Sequence, residues 1–211
     1  MEEIQRLPKV EMADTLECSG NSRSLLKDKA SGNPWTIGGV GNAIWGGIWL
    51  KDMLDSAGLR DGAKHVSFEG FFMDKVYRIF QKGEDSKSGQ VVKDIQVKSI
   101  IVEPEKDQIL PAGIVPVRGA AYAGEAGIEK VEVSVDLGKT WHPAELIGPE
   151  QPYAWRHWEY LWEVKAGGDY TIMARATDTS GQEQPETAHW NALGYGNNGV
   201  REHAVTVCIN E

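Results

Sequence analysis

The chain has 211 residues, of which 41% are hydrophobic and 25% are charged, and its formal net charge at pH 7 is −9. This length allows one or two domains with cores of their own, whereas the negative charge argues against nucleic acid as a partner because phosphate binding needs a basic surface. The longest apolar stretch, residues 37–50, is interrupted by glycines and an asparagine and is too short to span a bilayer, so no membrane span is expected.

The amino-terminal residues 1–14 are acidic and show no basic region followed by an apolar core, so a secretory signal is not predicted. The two cysteines, Cys18 and Cys208, suggest neither a disulfide framework nor a zinc site. The histidines are widely separated, and none has the spacing of metal ligands. The sequence therefore contains no recognisable multi-residue metal site, and any reactive group must be sought among single residues.

A strand that ends in a thiol is predicted near the start of the chain. Apolar and polar side chains alternate over residues 12–18, and the turn residues Ser-Gly-Asn-Ser follow at positions 19–22. A thiolate of Cys18 at this strand end would be a strong ligand for a soft metal, and Arg23 lies close enough in sequence to stabilise an anion beside it. On chemistry alone, a small buried apolar side chain is the commoner role for such a cysteine.

The next patterns predict mixed α and β structure. Apolar residues recur at helical spacing over residues 49–57, and Gly58 is placed to end that helix. Residues 64–68 alternate as in a short strand. Residues 81–94 are polar and contain glycine, which indicates a linker or an exposed loop.

From residue 96 onward, the patterns are those of strands alone. Alternating apolar residues predict strands around residues 131–135, 158–162, 170–176 and 205–209. Several short alternating strands separated by turn residues are typical of a β-sandwich. The second half of the chain is therefore predicted to be a sandwich.

Four aromatic residues cluster in and beside one of these strands: Trp155, Trp158, Tyr160 and Trp162. Such a group could form a stacking surface for sugars or for bases. Aromatic side chains are also favoured strand formers that fill sandwich cores and subunit interfaces. A place in the core or in an interface is therefore the preferred interpretation.

Three segments in the first part of the chain resemble the core of the sulfite oxidase family. They are T-L-E-C-S-G-N-S-R at residues 15–23, W-T-I-G-G-V at residues 35–40 and A-I-W-G-G-I-W-L-K-D-M-L at residues 43–54. In that family the cysteine is the protein ligand of molybdenum, which is held by a molybdopterin cofactor. The resemblance implies Cys18 as the cofactor-binding residue and molybdenum ligand, and Arg23 as a clamp for the substrate oxyanion.

The second half of the chain resembles the immunoglobulin-like dimerisation domain that follows the cofactor domain in this family. The matching segments occur in the family order and include V-E-V-S-V-D-L-G-K-T-W at residues 131–141. The resemblance implies an α+β fold in three parts. They are a truncated mixed α/β cofactor domain of sulfite oxidase type at residues 1–80, a linker at residues 81–95 and an immunoglobulin-like β-sandwich at residues 96–211.

The resemblance is interrupted between Gly70 and Phe71. Relatives carry at this point a segment with an active-site Tyr, a His and an Arg for the pterin phosphate, and a further loop; they also carry a segment that would precede Met1. Ser22 stands where many relatives have another Arg, and Leu193 stands where some place an Arg that reaches the substrate. Part of the cofactor cradle is therefore expected to be missing from this chain.

The function implied by the resemblance is that of a molybdopterin-dependent oxidoreductase, which exchanges an oxygen atom and two electrons with a small oxyanion or oxide. The cofactor would be molybdenum-molybdopterin, the electron acceptor a haem protein or another carrier, and the assembly a homodimer formed through the C-terminal sandwich. Members of this family are often periplasmic. A function of a different class is the alternative: a truncated, catalytically inactive relative that acts as a dimerisation or interaction module.

Overall fold

The computed structural model describes residues 4–60, 62–63 and 77–210. The amino-terminal part contains a 3₁₀ turn (Ile4–Arg6), strand β1 (Val10–Glu17), a second 3₁₀ turn (Arg23–Leu25), strand β2 (Val40–Gly47), helix α1 (Leu50–Ala57) and the short strands β3 (Arg78–Ile79) and β4 (Gln90–Val91). β1 and β2 form an antiparallel ribbon, and β3 pairs with β4. The strand predicted at residues 64–68 lies outside the described residues.

The rest of the described chain is a two-layer β-sandwich. Its elements are β5 (Lys98–Glu103), β6 (Gln108–Pro111), β7 (Gly113–Tyr122), β8 (Ile128–Ser134), β9 (His142–Pro143), β10 (Glu145–Ile147), β11 (Arg156–Val164), β12 (Gly168–Asp178), a 3₁₀ turn (Arg201–His203) and β13 (Val205–Asn210). One sheet has four strands in the order β10-β11-β7-β5, and the other has five in the order β6-β13-β12-β8-β9. Only β6 and β13 are parallel neighbours among these described strands; the other pairs are antiparallel.

The core lies between the two sheets and is filled by alternate residues of their strands. Trp158 and Trp162 of β11 belong to one buried cluster with Ile172 of β12, and Tyr160 packs against it. Burying one face of each strand removes apolar area from water, which is the main driving force for this arrangement. The predicted sandwich is thus confirmed, and three of the four clustered aromatic residues serve its core; Trp155 packs on the outside of the four-stranded sheet.

The α+β class predicted for the chain is wrong, because the described residues are almost entirely β. α1 is their one α-helix and has eight residues, and it ends as predicted at Gly58, which has a φ of 76° and donates its N–H to Leu54 O. Residues 10–47, assigned to a mixed α/β domain, form the β1–β2 ribbon and turns. Their alternation of apolar and polar side chains favours extended chain, since a period of two residues places alternate side chains on opposite faces. None of the described helices has the length and apolar character that a membrane crossing needs.

The amino-terminal segment lies against the outer face of the four-stranded sheet. Ile37 and Val40 pack on a second small cluster formed by Ile100, Ala120 and Tyr122 of that sheet. Main-chain hydrogen bonds also join the β1 region to two sandwich loops, near residues 153 and 196. The ribbon is therefore held in place by the sandwich, and this contact positions the candidate site.

Candidate functional site

Cys18 directly follows β1, and its side chain is exposed. Its main chain is fixed on both sides, because its N–H donates to Gly39 O at 2.8 Å and its carbonyl accepts the N–H of Asn21 at 2.8 Å. The thiol is thus presented at the end of an ordered strand, as the alternation pattern predicted. It is not a buried apolar side chain, which was the alternative interpretation.

Asn21 holds the turn that follows the cysteine. Its side chain is buried, donates through Nδ2 to Glu17 Oε1 at 2.9 Å and accepts the N–H of Gly39 through Oδ1 at 2.9 Å. A Cβ at Gly39 would lie only 2.9 Å from the Asn21 Oδ1 atom, so glycine is needed for this approach. The segment W-T-I-G-G-V therefore serves to close the cysteine turn against β1.

Arg23 is buried beneath this turn, with only 7% of its surface exposed. Its Nε donates to Leu193 O at 2.6 Å, its Nη1 donates to Asn33 O at 2.7 Å, and the guanidinium lies over the Tyr195 ring at 5.4 Å from the centroid. No Asp or Glu of the described residues lies within ion-pair distance, and none of these residues offers an acceptor to Nη2. A full positive charge is therefore held near Cys18 by carbonyl oxygens, without a neutralising carboxylate.

Tyr195 lies between the cysteine turn and a second tyrosine. Its ring centroid is 5.5 Å from that of Tyr77, and its main-chain N–H donates to the Asn191 side chain at 3.0 Å. Burial raises the pKa of the Tyr195 phenol; Arg23 lowers it, while the neighbouring Tyr77 and Cys18 raise it further. The phenol stays neutral at physiological pH and can act as a hydrogen-bond donor.

A buried ion pair connects the strand that carries Cys18 to the sandwich. The ammonium of Lys98 on β5 contacts Glu17 Oε1, and the Tyr122 hydroxyl on β7 donates to the same oxygen at 2.9 Å. The Lys98 side chain is 1% exposed and that of Glu17 is 9% exposed. Burial, reinforced by the Glu17 charge, raises the pKa of Tyr122, so this phenol stays protonated. Charges removed from water in this way persist only when paired and hydrogen-bonded.

Ser22 and His203 form a second buried contact. Ser22 has a φ of 66°, a conformation that is uncommon for a residue with a side chain. Its Oγ lies 2.9 Å from His203 Nε2, and its carbonyl accepts Nδ2–H of Asn197 at 2.8 Å. Burial, with a smaller effect of the Lys98 charge, lowers the pKa of His203 to about 4. A neutral imidazole therefore fixes the residue that precedes Arg23.

The β1–β2 ribbon has one covered face and one open face. Ala13 and Thr15 are buried toward the sandwich, whereas Cys18 shares the other face with Leu16 and with Trp45, which is paired opposite Met12. Leu16 and Trp45 are about half exposed. The cover on the first face is partial, because Ile44, which is paired with Ala13 in the middle of the ribbon, is 73% exposed. The thiol is thus set on an apolar surface that the described residues leave open.

A cavity of about 290 Å³ lies beside the strand end and is lined by Glu17, Ser19, Ile79, residues 90–96 and Gly196. A small oxyanion fits in this volume, but a pterin cofactor needs several cations and backbone donors for its phosphate. The described residues contain no cluster of three or more His, Cys, Asp or Glu suited to a metal ion. Among the described residues, the arrangement thus provides one soft ligand, Cys18, and one buried guanidinium without a carboxylate partner, Arg23.

Cys18 and Arg23, the two site residues predicted from the sequence, lie at the same turn in the structure. Tyr195, His203 and the pair of Glu17 and Lys98 were not predicted. A signal was present for the last of these, because Lys98 interrupts the apolar segment V-K-S-I-I in a strand whose neighbours are buried. For His203 the sequence offered no periodicity or spacing that could reveal a partner 181 residues away.

Two family models match the chain. The Mo-co oxidoreductase dimerisation domain matches residues 89–208, and the oxidoreductase molybdopterin binding domain matches residues 1–110. Together they account for almost the whole chain. The first covers the sandwich except for the last residues of β13, and the second covers the ribbon, the cysteine turn and α1.

Curated relatives agree with these models. Sulfite oxidase of Gallus gallus is 25% identical over 279 aligned positions, which take in 90% of this chain and 61% of that protein. Nitrate reductase [NADH] 2 of Phaseolus vulgaris is 34% identical and takes in 92% of this chain but 34% of its own length. The chain thus spans less than two thirds of the length of each of these relatives. The aligned lengths exceed 211, so the relatives contain residues that have no counterpart here.

The fold is shared with a solved structure. The sulfane dehydrogenase SoxCD from Paracoccus pantotrophus superposes with a TM-score of 0.75 over 94% of this chain and 69% of that one, at 18% identity. The ribbon and the sandwich therefore have the relative arrangement of a known fold. On the two family models and these relatives, the chain belongs to the sulfite oxidase family of molybdopterin oxidoreductases.

Proposed function

We propose that this chain acts in a molybdopterin-dependent oxidoreductase of sulfite oxidase type, with Cys18 as the protein ligand of molybdenum. The substrate class is a small oxyanion or oxide that gains or loses one oxygen atom together with two electrons. The observation that carries the proposal is the exposed Cys18 thiol at the end of β1, together with a buried Arg23 that makes no ion pair with a carboxylate of the described residues. Relatives named sulfite oxidase and nitrate reductase support the substrate class.

Each residue has a distinct part in this proposal. The positive charge of Arg23 attracts an oxyanion toward the turn that carries Cys18. Its Nη2 atom, which has no acceptor among the described residues, is the group that would donate to the oxyanion. The neutral Tyr195 phenol can add a second donor, and the bound molybdenum centre would supply the exchange of oxygen and electrons.

The described residues fit the metal ligand but not the whole cofactor. Arg23 already donates through Nε and Nη1 to main-chain carbonyls, and one guanidinium cannot neutralise the phosphate of a pterin cofactor by itself. Relatives contain residues without a counterpart in this chain, and these would supply further cations. The described residues by themselves are therefore not expected to support catalytic turnover.

A second function is favoured by the open face of the ribbon. An inactive relative that serves as a dimerisation or interaction module would retain the sandwich at residues 96–211, the preceding linker at residues 81–95 and only part of the cofactor domain at residues 1–80. Exposed Leu16 and Trp45 beside an unused thiol agree with this alternative. In both cases a homodimer through the sandwich is proposed, and only the first requires an electron acceptor such as a haem protein.

Molybdenum content separates the two functions. The protein would be purified from a host that makes molybdopterin, and the metal measured by elemental analysis in the wild type, in Cys18→Ser and in Cys208→Ser as the matched control. The enzyme proposal predicts molybdenum in the wild type and in the control, in an amount set by how much of the cofactor cradle this chain retains, and a loss of the metal in Cys18→Ser. Absence of metal from all three folded proteins would refute the enzyme proposal and favour the interaction module. Equal metal in all three would refute Cys18 as the ligand.

A further inference from the structure

Ser22 is held at three of its atoms by other segments of the chain. Its main-chain N–H donates to Thr36 O at 2.8 Å, its carbonyl accepts Nδ2–H of Asn197 at 2.8 Å, and its Oγ lies 2.9 Å from His203 Nε2. The residue is fully buried and has a φ of 66° and a ψ of 14°. A residue with a side chain stays in this left-handed conformation only where its surroundings hold it, because the conformation costs free energy. The three contacts therefore define the direction in which the chain enters Arg23.

The loop that supplies two of these contacts is itself braced. His203 Nδ1 lies 2.7 Å from Gly199 O, and the N–H of Gly199 donates to Asn197 Oδ1 at 3.3 Å. Both side chains are buried. The imidazole and the amide are thus joined through one residue, and they support Ser22 as a unit.

The side chain of Arg23 occupies a narrow slot that glycines leave open. A Cβ at Gly20 would lie 2.5 Å from Nη2, one at Gly32 would lie 2.6 Å from Nη1, and one at Gly194 would lie 2.9 Å from Cγ. In such a close-packed slot a side chain has few alternative conformations. A change in the direction of the Cα–Cβ bond of Arg23 would therefore move its guanidinium away from the two carbonyl oxygens that accept from it.

We propose that His203 and Asn197 are positioning residues for Arg23 and act through Ser22. They fix the main chain at Ser22, so that Nε and Nη1 of the guanidinium meet carbonyl oxygens and Nη2 is left to donate to an oxyanion near Cys18. This inference rests on the proposed oxyanion role of Arg23 and names the residues that preorganise it. A donor that is already in place loses less conformational entropy on binding than a mobile side chain does.

The test compares two alkylating agents of similar size at Cys18: iodoacetate, which is an anion, and iodoacetamide, which is neutral. The full chain is made in a host without molybdopterin and carries Cys208→Ser, so that Cys18 is the one remaining thiol. Both agents react with the same thiolate, so the exposure and the ionisation of the thiol cancel in the ratio of the two rate constants. The ratio of the iodoacetate rate to the iodoacetamide rate then reports the positive charge that an anion meets at the turn.

We expect Arg23→Met to lower this ratio about fivefold, because it removes a unit charge close to the thiol. His203→Ala and Ser22→Gly keep that charge but should still lower the ratio at least about twofold, because they release the guanidinium. Glycine accepts the left-handed conformation, so Ser22→Gly serves if His203→Ala fails to fold. His203→Gln should restore most of the ratio, since its amide can reach the Ser22 hydroxyl. Thr15→Val is the matched control, because it removes a buried 2.9 Å hydrogen bond to Asn42 elsewhere on β1 and should leave the ratio unchanged.

The outcomes separate positioning from the oxyanion role itself, and circular dichroism with urea unfolding verifies that each variant is folded. An unchanged ratio in His203→Ala and Ser22→Gly, together with a lowered ratio in Arg23→Met, would overturn the positioning role and leave the oxyanion role of Arg23 intact. An equal fall in Thr15→Val would attribute the effect to lost stability and would also overturn the positioning role. An unchanged ratio in Arg23→Met would refute the oxyanion role of Arg23 and this inference with it.

Discussion

Acid should destabilise this protein through one buried histidine. His203 has Nδ1 at 2.7 Å from Gly199 O and Nε2 at 2.9 Å from Ser22 Oγ. Because a carbonyl oxygen can only accept, Nδ1 carries the proton and Nε2 accepts the Ser22 hydroxyl, an assignment that follows from the hydrogen bonds. Burial is the main reason that the pKa of His203 is lowered to about 4, and the Lys98 charge adds to it.

The size of the effect follows from proton linkage. The unfolded chain binds a proton with the ordinary histidine pKa of 6.5, whereas the folded protein does so only near 4. Between these two values the unfolded state binds more protons, so the free energy of unfolding falls as the pH falls. Each unit of pKa difference changes the free energy of unfolding by about 1.4 kcal/mol. The protein therefore loses about 3 kcal/mol of stability in total as the pH falls below both pKa values, and about 2 kcal/mol of this is lost by about pH 5.

The measurement is urea unfolding followed by tryptophan fluorescence between about pH 8 and about pH 5. The wild type should lose about 2 kcal/mol more over this range than His203→Gln, which keeps a neutral polar side chain at the site. His189→Gln is the matched control, because His189 is exposed and its replacement should leave the pH dependence unchanged. If the free energy of unfolding of His203→Gln fell with pH as steeply as that of the wild type, the conclusion that His203 is buried as a neutral imidazole would be refuted.

Two further substitutions test the packing beneath the site by thermal unfolding. Gly119→Ala should destabilise by about 3 kcal/mol or more, because its Cβ would overlap the Trp158 ring, whereas Gly41→Ala, with open space around it, should change little. Glu17→Gln leaves the ammonium of Lys98 buried without a carboxylate and should cost about 3 to 5 kcal/mol. Adding Lys98→Met to Glu17→Gln should restore part of that loss, and a double variant less stable than Glu17→Gln alone would contradict the ion-pair explanation.

Local sequence patterns predicted the secondary structure correctly wherever one face of an element is buried in the described structure. The alternation before Cys18 and the aromatic residues Trp158, Tyr160 and Trp162 correspond to strands whose buried side alternates with an open side. A period of two residues reports burial on one face, so it can be read without knowing what covers that face. The strand that presents the thiol and the core of the sandwich were predictable for this reason.

Helix α1 shows the limit of the same reasoning. Its apolar residues recur at helical spacing and the helix forms, yet none of its residues is buried, and Leu50 is exposed. Periodicity predicts which face an element would cover, but not whether the chain supplies a partner for it. The α+β class rested on this helix, on the strand predicted at residues 64–68 and on the resemblance to the sulfite oxidase family, and it is wrong for the described residues.

Contacts between distant segments could not be predicted. Arg23 was named as a substrate clamp, but its burial and its bond to Leu193 O depend on a loop that lies 170 residues later. The network around Glu17 likewise requires β5 and β7 to be placed against β1. Such contacts follow from the packing of whole elements, and no local pattern records them.

The turn that presents Cys18 also has a consequence for the order in which the protein is made. Its bonds to Leu193, Asn197 and His203 span 170 to 181 residues, so the turn leaves the ribosome long before its supports exist. At about 5 to 20 residues per second, that interval is about 9 to 36 seconds. Long-range contacts of this kind also slow folding. The first part of the site to be synthesised is therefore among the last to become ordered. A ligand of Cys18 can bind to the ordered turn only after the last part of the sandwich has been synthesised and has folded.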